Sequence, residues 1–132
     1  MTGDQLISGG FAVVGNPIEH SLSPRIHAAF ARQSGQQIDY RAERVELDDF
    51  ESWVSAFFEK EGSGLNVTLP FKSRAFDLAD TVSDRARLTG AANFLTVNEA
   101  GGIHADNTDG KGLLTDVTEN AGWTLELSLI HI

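Results

Sequence analysis

Short apolar runs alternate with amphipathic stretches along this chain. The first run, residues 11–14, stops at Gly15 and predicts a buried strand, because a short continuous apolar run before a turn is typical of one. Ser23 and Pro24 then form a helix start signal, with the hydroxyl residue as N-cap, and Gly35 ends the segment. The positions that follow at helical spacing are Ile26, Ala29, Phe30 and Gln33.

The middle of the chain repeats this order of strand and helix. Residues 40–47 alternate roughly between apolar and polar and predict a second strand, after which Asp48 is placed to cap a helix. That helix carries an apolar stripe, and Gly62 and Gly64 end it. The stripe consists of Phe50, Trp53, Val54, Phe57 and Phe58. Residues 65–69 predict a third strand.

The remaining pattern predicts two short helices, a pair of strands and a last helix. The short helices are expected at residues 71–79 and 83–89, and the strands at 92–97 and 103–105. The last helix is expected over residues 110–121. Its inward positions are expected to be Leu113, Leu114 and Val117. Strands that alternate with helices predict an α/β layered fold with a mostly parallel sheet.

Composition indicates a single globular domain with an acidic surface. The chain has 132 residues, a length typical of one domain, and its net charge of −9 comes from 10 basic and 19 acidic side chains. Phosphate binding needs clustered Lys and Arg, so we expect neither a nucleic-acid partner nor docking on anionic lipid. A small anionic substrate is compatible with this charge if a local pocket supplies hydrogen-bond donors.

Cysteine usage and hydropathy narrow the classes of protein further. The chain has no cysteine, which excludes a disulfide framework, a thiolate nucleophile and a Cys-based metal site. Its apolar runs fall short of the ~20 residues of a membrane span. Residues 1–10 lack the basic and apolar parts of a signal peptide and are expected to be a loose leader. We therefore expect a cytoplasmic enzyme or binding domain with no membrane partner.

Polar clusters follow the predicted strands, at the edge where sheets of this class bind ligands. Ser21 and Ser23 stand two residues apart at a helix start, where two hydroxyls and the positive end of the helix dipole suit an anion. On spacing alone, a plainer interpretation stays open, in which Ser23 is only an N-cap and Ser21 only a loop residue.

A second cluster follows the third strand. Asn66 and Thr68 share one side of an extended segment, because side chains alternate along a strand. Lys72 lies at the start of a predicted helix, where its charge opposes the dipole and so needs another explanation. A solvated surface lysine is the alternative. Asn93 ends a turn segment, residues 90–93, that leads into a strand, and it could either close the turn or donate to a ligand.

The last cluster contains two carboxylates, Asp106 and Asp109. Asp109 could cap the helix that follows it, or it could act on a ligand. A hard-cation site usually needs more oxygen ligands than this segment offers. The histidines show no metal-ligand spacing either, so we expect no metal site. They are His20, His27, His104 and His131.

These four segments together resemble the signature segments of shikimate dehydrogenases. The family pattern runs Gly-Asn-Pro-x-x-His-Ser-x-Ser-Pro, Asn-Val-Thr-x-Pro-Phe-Lys, Gly-Ala-x-Asn-Thr and Asn-Thr-Asp-Gly-x-Gly. The chain matches the first, second and fourth, at residues 15–24, 66–72 and 107–112, and departs from the third at Phe94, where the family has threonine. The resemblance covers about residues 11–123 and implies a three-layer α/β/α domain with a mostly parallel sheet.

The resemblance also implies a role for each matched residue. Lys72 and Asp109 would be the catalytic pair in the reduction of 3-dehydroshikimate to shikimate by NADPH. Ser21 and Ser23 would hold the substrate carboxylate. The residues that hydrogen-bond the ring hydroxyls would be Asn66, Thr68 and Asn93. Asp106 matches a position at which the family varies, so Asp109 is the expected catalytic carboxylate.

NADP is the implied cofactor, and the family binds it mainly with a second domain. The segment at residues 110–112 is only a partial dinucleotide fingerprint, so we expect no cofactor-binding residue in this chain. We therefore expect a truncated substrate-binding and catalytic domain at residues 11–123, inactive alone. Residues 124–132 would be the start of the missing domain or a non-native tail.

Two other functions stay open. One is a quinate or aminoshikimate dehydrogenase of the same superfamily. The other is a non-catalytic domain that binds a small carboxylate. The sequence leaves the oligomeric state open as well.

Overall fold

The computed structural model of the chain describes residues 10–125. Most of the expected leader, residues 1–9, and residues 126–132 of the expected tail lie outside this range. The strands of the described range are β1 Phe11–Gly15, β2 Tyr40–Arg44, β3 Gly64–Val67, β4 Thr81–Val82, β5 Phe94–Val97 and β6 Ile103–Asp106. They form one sheet in the order β2-β1-β3-β5-β6-β4.

The sheet is mixed, with one strand opposed to the others. β1 pairs in parallel with β2 and β3, and β4 pairs in parallel with β6. β5 runs antiparallel to both of its neighbours, β3 and β6. The prediction of an α/β fold with a mostly parallel sheet is therefore confirmed.

Helices lie on both faces of this sheet. They are α1 Ser23–Ser34, α2 Phe50–Glu59, α3 Lys72–Leu78, α4 Asp84–Thr89 and α5 Asp109–Thr115. A 3₁₀ turn, Leu47–Asp49, leads into α2, and a π-helical turn, Asp116–Asn120, continues α5. α1 packs on β1 and β2, while α2 and α3 pack on the opposite face, which gives three layers.

The main core lies between the sheet and the pair α2 and α3. Alternate strand residues face it because successive side chains of a strand point to opposite faces. They are Ala12, Val14, Leu65, Val67, Leu95 and Ala105. Phe50 and Phe71 are fully buried there and stack with their ring centroids 4.4 Å apart. Arg74 lies over both rings, and its Nε donates to Glu51 at 2.7 Å, so a charged side chain closes the core.

Two of the expected helix caps are wrong. Ser23 is the first residue of α1 rather than its N-cap, and Leu22, which precedes it, has φ −86° and ψ −7°. Asp48 lies in the 3₁₀ turn, and α2 follows Asp49, which has φ −106° and ψ 0°. A capping side chain needs an extended residue before the helix. Ser83 is such a residue, with ψ 161°, and its hydroxyl accepts from the N–H of Ala86.

Strand and helix ends also differ from the expected ones by a few residues. β2 stops at Arg44 and β3 at Val67, before the expected ends at residues 47 and 69. Gly64 opens β3 instead of ending α2, which stops at Glu59. At these ends the apolar pattern continues along the chain, but the backbone turns away from the sheet. The turn, rather than the side-chain pattern, therefore determines where each strand ends.

The expected inward face of the last helix is wrong. Leu113 and Leu114 are 67% and 50% exposed, and α5 has no buried residue. Ile26 and Phe30 of α1 are likewise 45% and 58% exposed. Helical spacing shows which residues share a face, but it does not show that another element covers that face. Among residues 10–125, no helix has the length and apolar character needed to cross a membrane.

The buried face of β5 gives the first prediction. We expect Leu95→Ala to lower the free energy of unfolding by about 2–5 kcal/mol, because it leaves a cavity in the core. Leu88→Ala is the matched control, since Leu88 is 88% exposed, and it should change stability by less than about 0.5 kcal/mol. Urea unfolding followed by circular dichroism measures both, and equal losses would contradict the core described above.

Candidate active site

The loops that follow β1 and β3 lie against each other, because Gly15 has no side chain. A Cβ on Gly15 would stand 2.5 Å from Cγ2 of Thr68 and 3.1 Å from the carbonyl oxygen of Leu69. The N–H of Asn16 donates to that same carbonyl oxygen at 3.0 Å. Each loop contains a cis proline peptide bond, Asn16–Pro17 in one and Leu69–Pro70 in the other. The glycine thereby brings the polar segments of two strands to one edge of the sheet.

Lys72 and Asp109 form an ion pair across this edge. The Nζ of Lys72 lies 2.7 Å from Oδ2 of Asp109, the distance of a charge-assisted hydrogen bond. Lys72 is the first residue of α3 and Asp109 the first of α5, so the pair joins the starts of two helices. Their side chains are 31% and 50% exposed, which leaves the pair accessible to a ligand. The structure therefore places Lys72 in a specific contact, and Asp109 is not an N-cap.

Asn93 holds the carboxylate of this pair in place. Its Nδ2 donates to Oγ1 of Thr108 and to Oδ1 of Asp109, both at 2.9 Å, and its Oδ1 accepts from the N–H of Thr108 at 3.0 Å. A side-chain amide has two N–H donors and two lone pairs on its oxygen. Within the described chain, Asn93 has therefore one acceptor site left for a ligand and no donor.

Asn107 has a structural role that the sequence left unassigned. It is buried, at 8% exposure. Its Nδ2 donates to the carbonyl oxygen of Ala91 at 3.0 Å and to Oγ1 of Thr89 at 3.2 Å. Its Oδ1 accepts from the N–H of Asp109 at 3.0 Å, so Asn107 fixes the backbone at the start of α5.

Asp106 serves a separate structural contact. Its Oδ1 accepts from Nε of Arg85 at 2.7 Å, from the hydroxyl of Ser83 at 2.6 Å and from the N–H of Asn107 at 2.7 Å. The Arg85 guanidinium, more than the other donors, holds the pKa of the Asp106 carboxyl well below its usual range. Asp106 thus ties α4 to β6, and its partner is Arg85 rather than Lys72.

The expected carboxylate-binding serines lie at the start of α1. The hydroxyl of Ser21 accepts from the N–H of Ser23 at 3.3 Å. Burial raises the pKa of the Tyr40 phenol, and the nearby Ser23 hydroxyl has a smaller effect in the opposite direction. The Tyr40 hydroxyl donates to Oδ1 of Asn66 at 2.7 Å. One tyrosine therefore lies near a predicted carboxylate ligand, Ser23, and is hydrogen-bonded to a predicted hydroxyl ligand, Asn66.

Sequence reasoning missed Tyr40. Its ring stacks on His27 with centroids 4.1 Å apart and an interplanar angle of 7°. Burial raises the pKa of the phenol to about 12. Nothing in the local pattern distinguishes Tyr40 from other residues of an alternating strand, because its partners lie on other elements.

The predicted site residues fall into two hydrogen-bonded groups. Lys72, Asp109 and Asn93 form one, and Asn66 forms the other with Tyr40, close to Ser23. β3 connects the groups, since it carries Asn66 and leads through Thr68 to Lys72.

Phe94 lies beside Asn66 in the sheet. With Tyr40 and Phe30 it lines a cavity of about 280 Å³ between α1 and the sheet. The one departure from the family pattern is therefore next to a candidate substrate residue. In the part of the chain that the structure covers, no group of three or more His, Asp or Glu side chains could hold a metal ion.

Comparison with known proteins gives consistent matches. The family model for the shikimate dehydrogenase substrate binding domain matches residues 13–95. Shikimate dehydrogenase (NADP(+)) from Methylococcus capsulatus is 54% identical over 115 residues, which are 87% of this chain and 41% of that protein. The chain spans about two fifths of the length of the curated relatives it matches.

Two solved structures show the same fold. The Ael1 enzyme from Pseudomonas putida superposes with a TM-score of 0.84 at 51% identity, over 87% of this chain and 42% of that one. Shikimate 5-dehydrogenase from Thermus thermophilus, solved in complex with shikimate, gives a TM-score of 0.81 at 32% identity, over 91% of this chain and 45% of that one.

The Asp106 contacts give a prediction for stability against pH. The folded-state pKa of Asp106 is lowered from its ordinary value of 3.8, so its contribution is present above that pH and is lost as the pH falls below it. We expect Asp106→Asn to cost about 1–3 kcal/mol at neutral pH and progressively less in acid. Urea unfolding at a series of pH values measures this difference.

Asp39→Asn is the control for that experiment. The Asp39 side chain is 71% exposed and its carboxylate lies 3.9 Å from Nε of Arg41. Loss of such a surface ion pair costs about 0–1 kcal/mol. A difference between wild type and Asp106→Asn that stays constant down to low pH would contradict the assigned contacts.

Proposed function

Because the chain belongs to the shikimate dehydrogenase substrate-binding domain family, we propose that it is the substrate-binding part of an NADP-dependent shikimate dehydrogenase. The reaction is the reduction of 3-dehydroshikimate to shikimate with NADPH. The observation that carries the proposal is the 2.7 Å contact between Nζ of Lys72 and Oδ2 of Asp109, at the edge of the sheet where polar segments meet.

The ion pair suits ketone reduction. Addition of hydride to the carbonyl carbon leaves negative charge on the oxygen, and the Lys72 ammonium stabilises that charge and donates a proton to it. An N–H bond breaks, an O–H bond forms, and the lysine is left neutral. Asp109 orients the ammonium and offsets the cost of removing it from water. The nicotinamide, when bound, supplies the hydride.

The other predicted residues suit recognition of the substrate. Ser21 and Ser23 lie at the start of the 12-residue helix α1, where hydroxyls and the helix dipole favour a carboxylate. The ring hydroxyls of the substrate would be bound by Asn66, Thr68 and Asn93. The Thermus thermophilus relative was solved with shikimate, which supports this class of ligand.

We propose NADP as the cofactor, since the curated relatives are named for it. The chain corresponds to about two fifths of those relatives, so we propose that residues outside this chain bind the cofactor for the most part. Residues 11–123 would then act as the substrate-binding and catalytic unit.

Replacement of the catalytic lysine is the first test. In the enzyme that carries this chain, Lys72→Ala should lower kcat for shikimate oxidation by at least about 100-fold, the usual contribution of a positioned acid or base. The KM for shikimate should change far less. Lys60→Ala, at the exposed end of α2, is the control and should leave turnover intact. Unchanged turnover in Lys72→Ala would remove this lysine from the mechanism.

The second test asks which substrate binds and whether this chain binds substrate without catalysing cofactor reduction. We expect the 132-residue chain to bind shikimate, measured by titration calorimetry, and to show no NADP⁺ reduction with it. Robust turnover by this chain alone would contradict the proposal that residues outside it bind the cofactor. Tighter binding of quinate or aminoshikimate would favour the related dehydrogenases. Absence of a glycine-rich β-turn-α segment downstream of Trp123 in the gene would favour a non-catalytic carboxylate-binding domain.

A further inference from the structure

Tyr40 reaches across the sheet to a residue two strands away. It is the first residue of β2, and β1 lies between β2 and β3. Its hydroxyl nevertheless meets Oδ1 of Asn66 on β3 at 2.7 Å. The stack on His27 holds the ring between α1 and the sheet, and Nδ1 of His27 is itself 2.9 Å from the carbonyl oxygen of Ser23. The phenol is therefore fixed in position before any ligand binds.

The direction of this hydrogen bond determines how the Asn66 amide is turned. The proton of the phenol goes to Oδ1 of Asn66, with the two oxygens 2.7 Å apart. A flipped amide would turn its N–H groups toward the phenol and take away the Asn66 oxygen that accepts the phenol proton. An unpaired donor in a half-buried position is costly. Burial also raises the pKa of Tyr40 to about 12, so the phenol remains a donor at neutral pH.

We propose that Tyr40 is a positioning residue, which turns Asn66 so that its Nδ2 faces the substrate as a hydrogen-bond donor. The inference rests on the proposed function for the identity of the ligand. The proposal gives the two candidate asparagines opposite hydrogen-bonding roles toward a ligand. Asn66 presents N–H groups, whereas Asn93 has only an oxygen lone pair to offer. A ligand must therefore accept from Asn66 and donate to Asn93.

A double-mutant cycle tests whether Tyr40 acts through Asn66. In the enzyme that carries this chain, Tyr40→Phe keeps the ring and removes only the hydroxyl. We expect it to raise the KM for shikimate about 5- to 10-fold, as the loss of one hydrogen bond does, with kcat within about twofold. In an Asn66→Ala background the same change should add less than about twofold, because the two residues act as one unit. A full-sized effect in that background, or no effect in either, would overturn the proposal.

A ligand-free measurement separates this inference from the proposed function. In the isotopically labelled chain, Tyr40→Phe should shift the side-chain amide signals of Asn66. The signals of Asn98, in the turn between β5 and β6, should stay in place, and an unchanged backbone spectrum reports an intact fold. Unmoved Asn66 signals would overturn the role of Tyr40 whatever the substrate is. Moved signals in a protein whose wild type does not turn over shikimate would support the positioning role and contradict only the dehydrogenase.

Discussion

Backbone hydrogen bonds of Asn93 join the ends of β3 and β6 to the start of β5, and the arrangement of the candidate site depends on these bonds. The carbonyl oxygen of Asn93 accepts from the N–H of Val67 at 2.8 Å, and its N–H donates to the carbonyl oxygen of Asp106 at 3.1 Å. β3 and β6 therefore end level with each other on either side of β5. The chain after β3 leads to Lys72 and the chain after β6 leads to Asp109, so backbone pairing brings the two charges together. The side-chain amide of Asn93 then fixes the carboxylate.

Much of the fold follows from the periodicity of apolar residues. The alternation of buried runs with amphipathic stretches predicts the α/β sheet, and the stripe of α2 is buried at Phe50, Val54 and Phe57. Helix caps are harder to predict, because a serine or aspartate near a helix start caps it only if its own backbone is extended. Sequence pattern does not determine that dihedral angle. Nor does it show whether a helix face meets a partner, and for that reason the inward positions predicted for Leu113 and Leu114 are wrong.

The candidate site likewise has one part that the sequence predicts and another that it does not. The order of four polar segments after strands predicts that their ends converge, and the structure joins Asp109 to both Lys72 and Asn93. Tyr40 and Asn66 are 26 residues apart and on strands that do not touch, so no local pattern connects them. Contacts that pass over an intervening strand depend on side-chain reach and ring packing. These appear only once the register of the sheet is known.

The exposed leucines of α5 have a consequence for how this chain behaves in solution. Leu113 and Leu114 are at least half exposed, and Trp123, just beyond the helix, is 67% exposed. The net charge of −9 opposes self-association of such surfaces through long-range repulsion between copies. That repulsion weakens as salt shortens the screening length to about 10 Å near 0.1 M, whereas apolar attraction does not weaken. Ionic strength therefore sets the balance between dispersed chains and colloidal clustering.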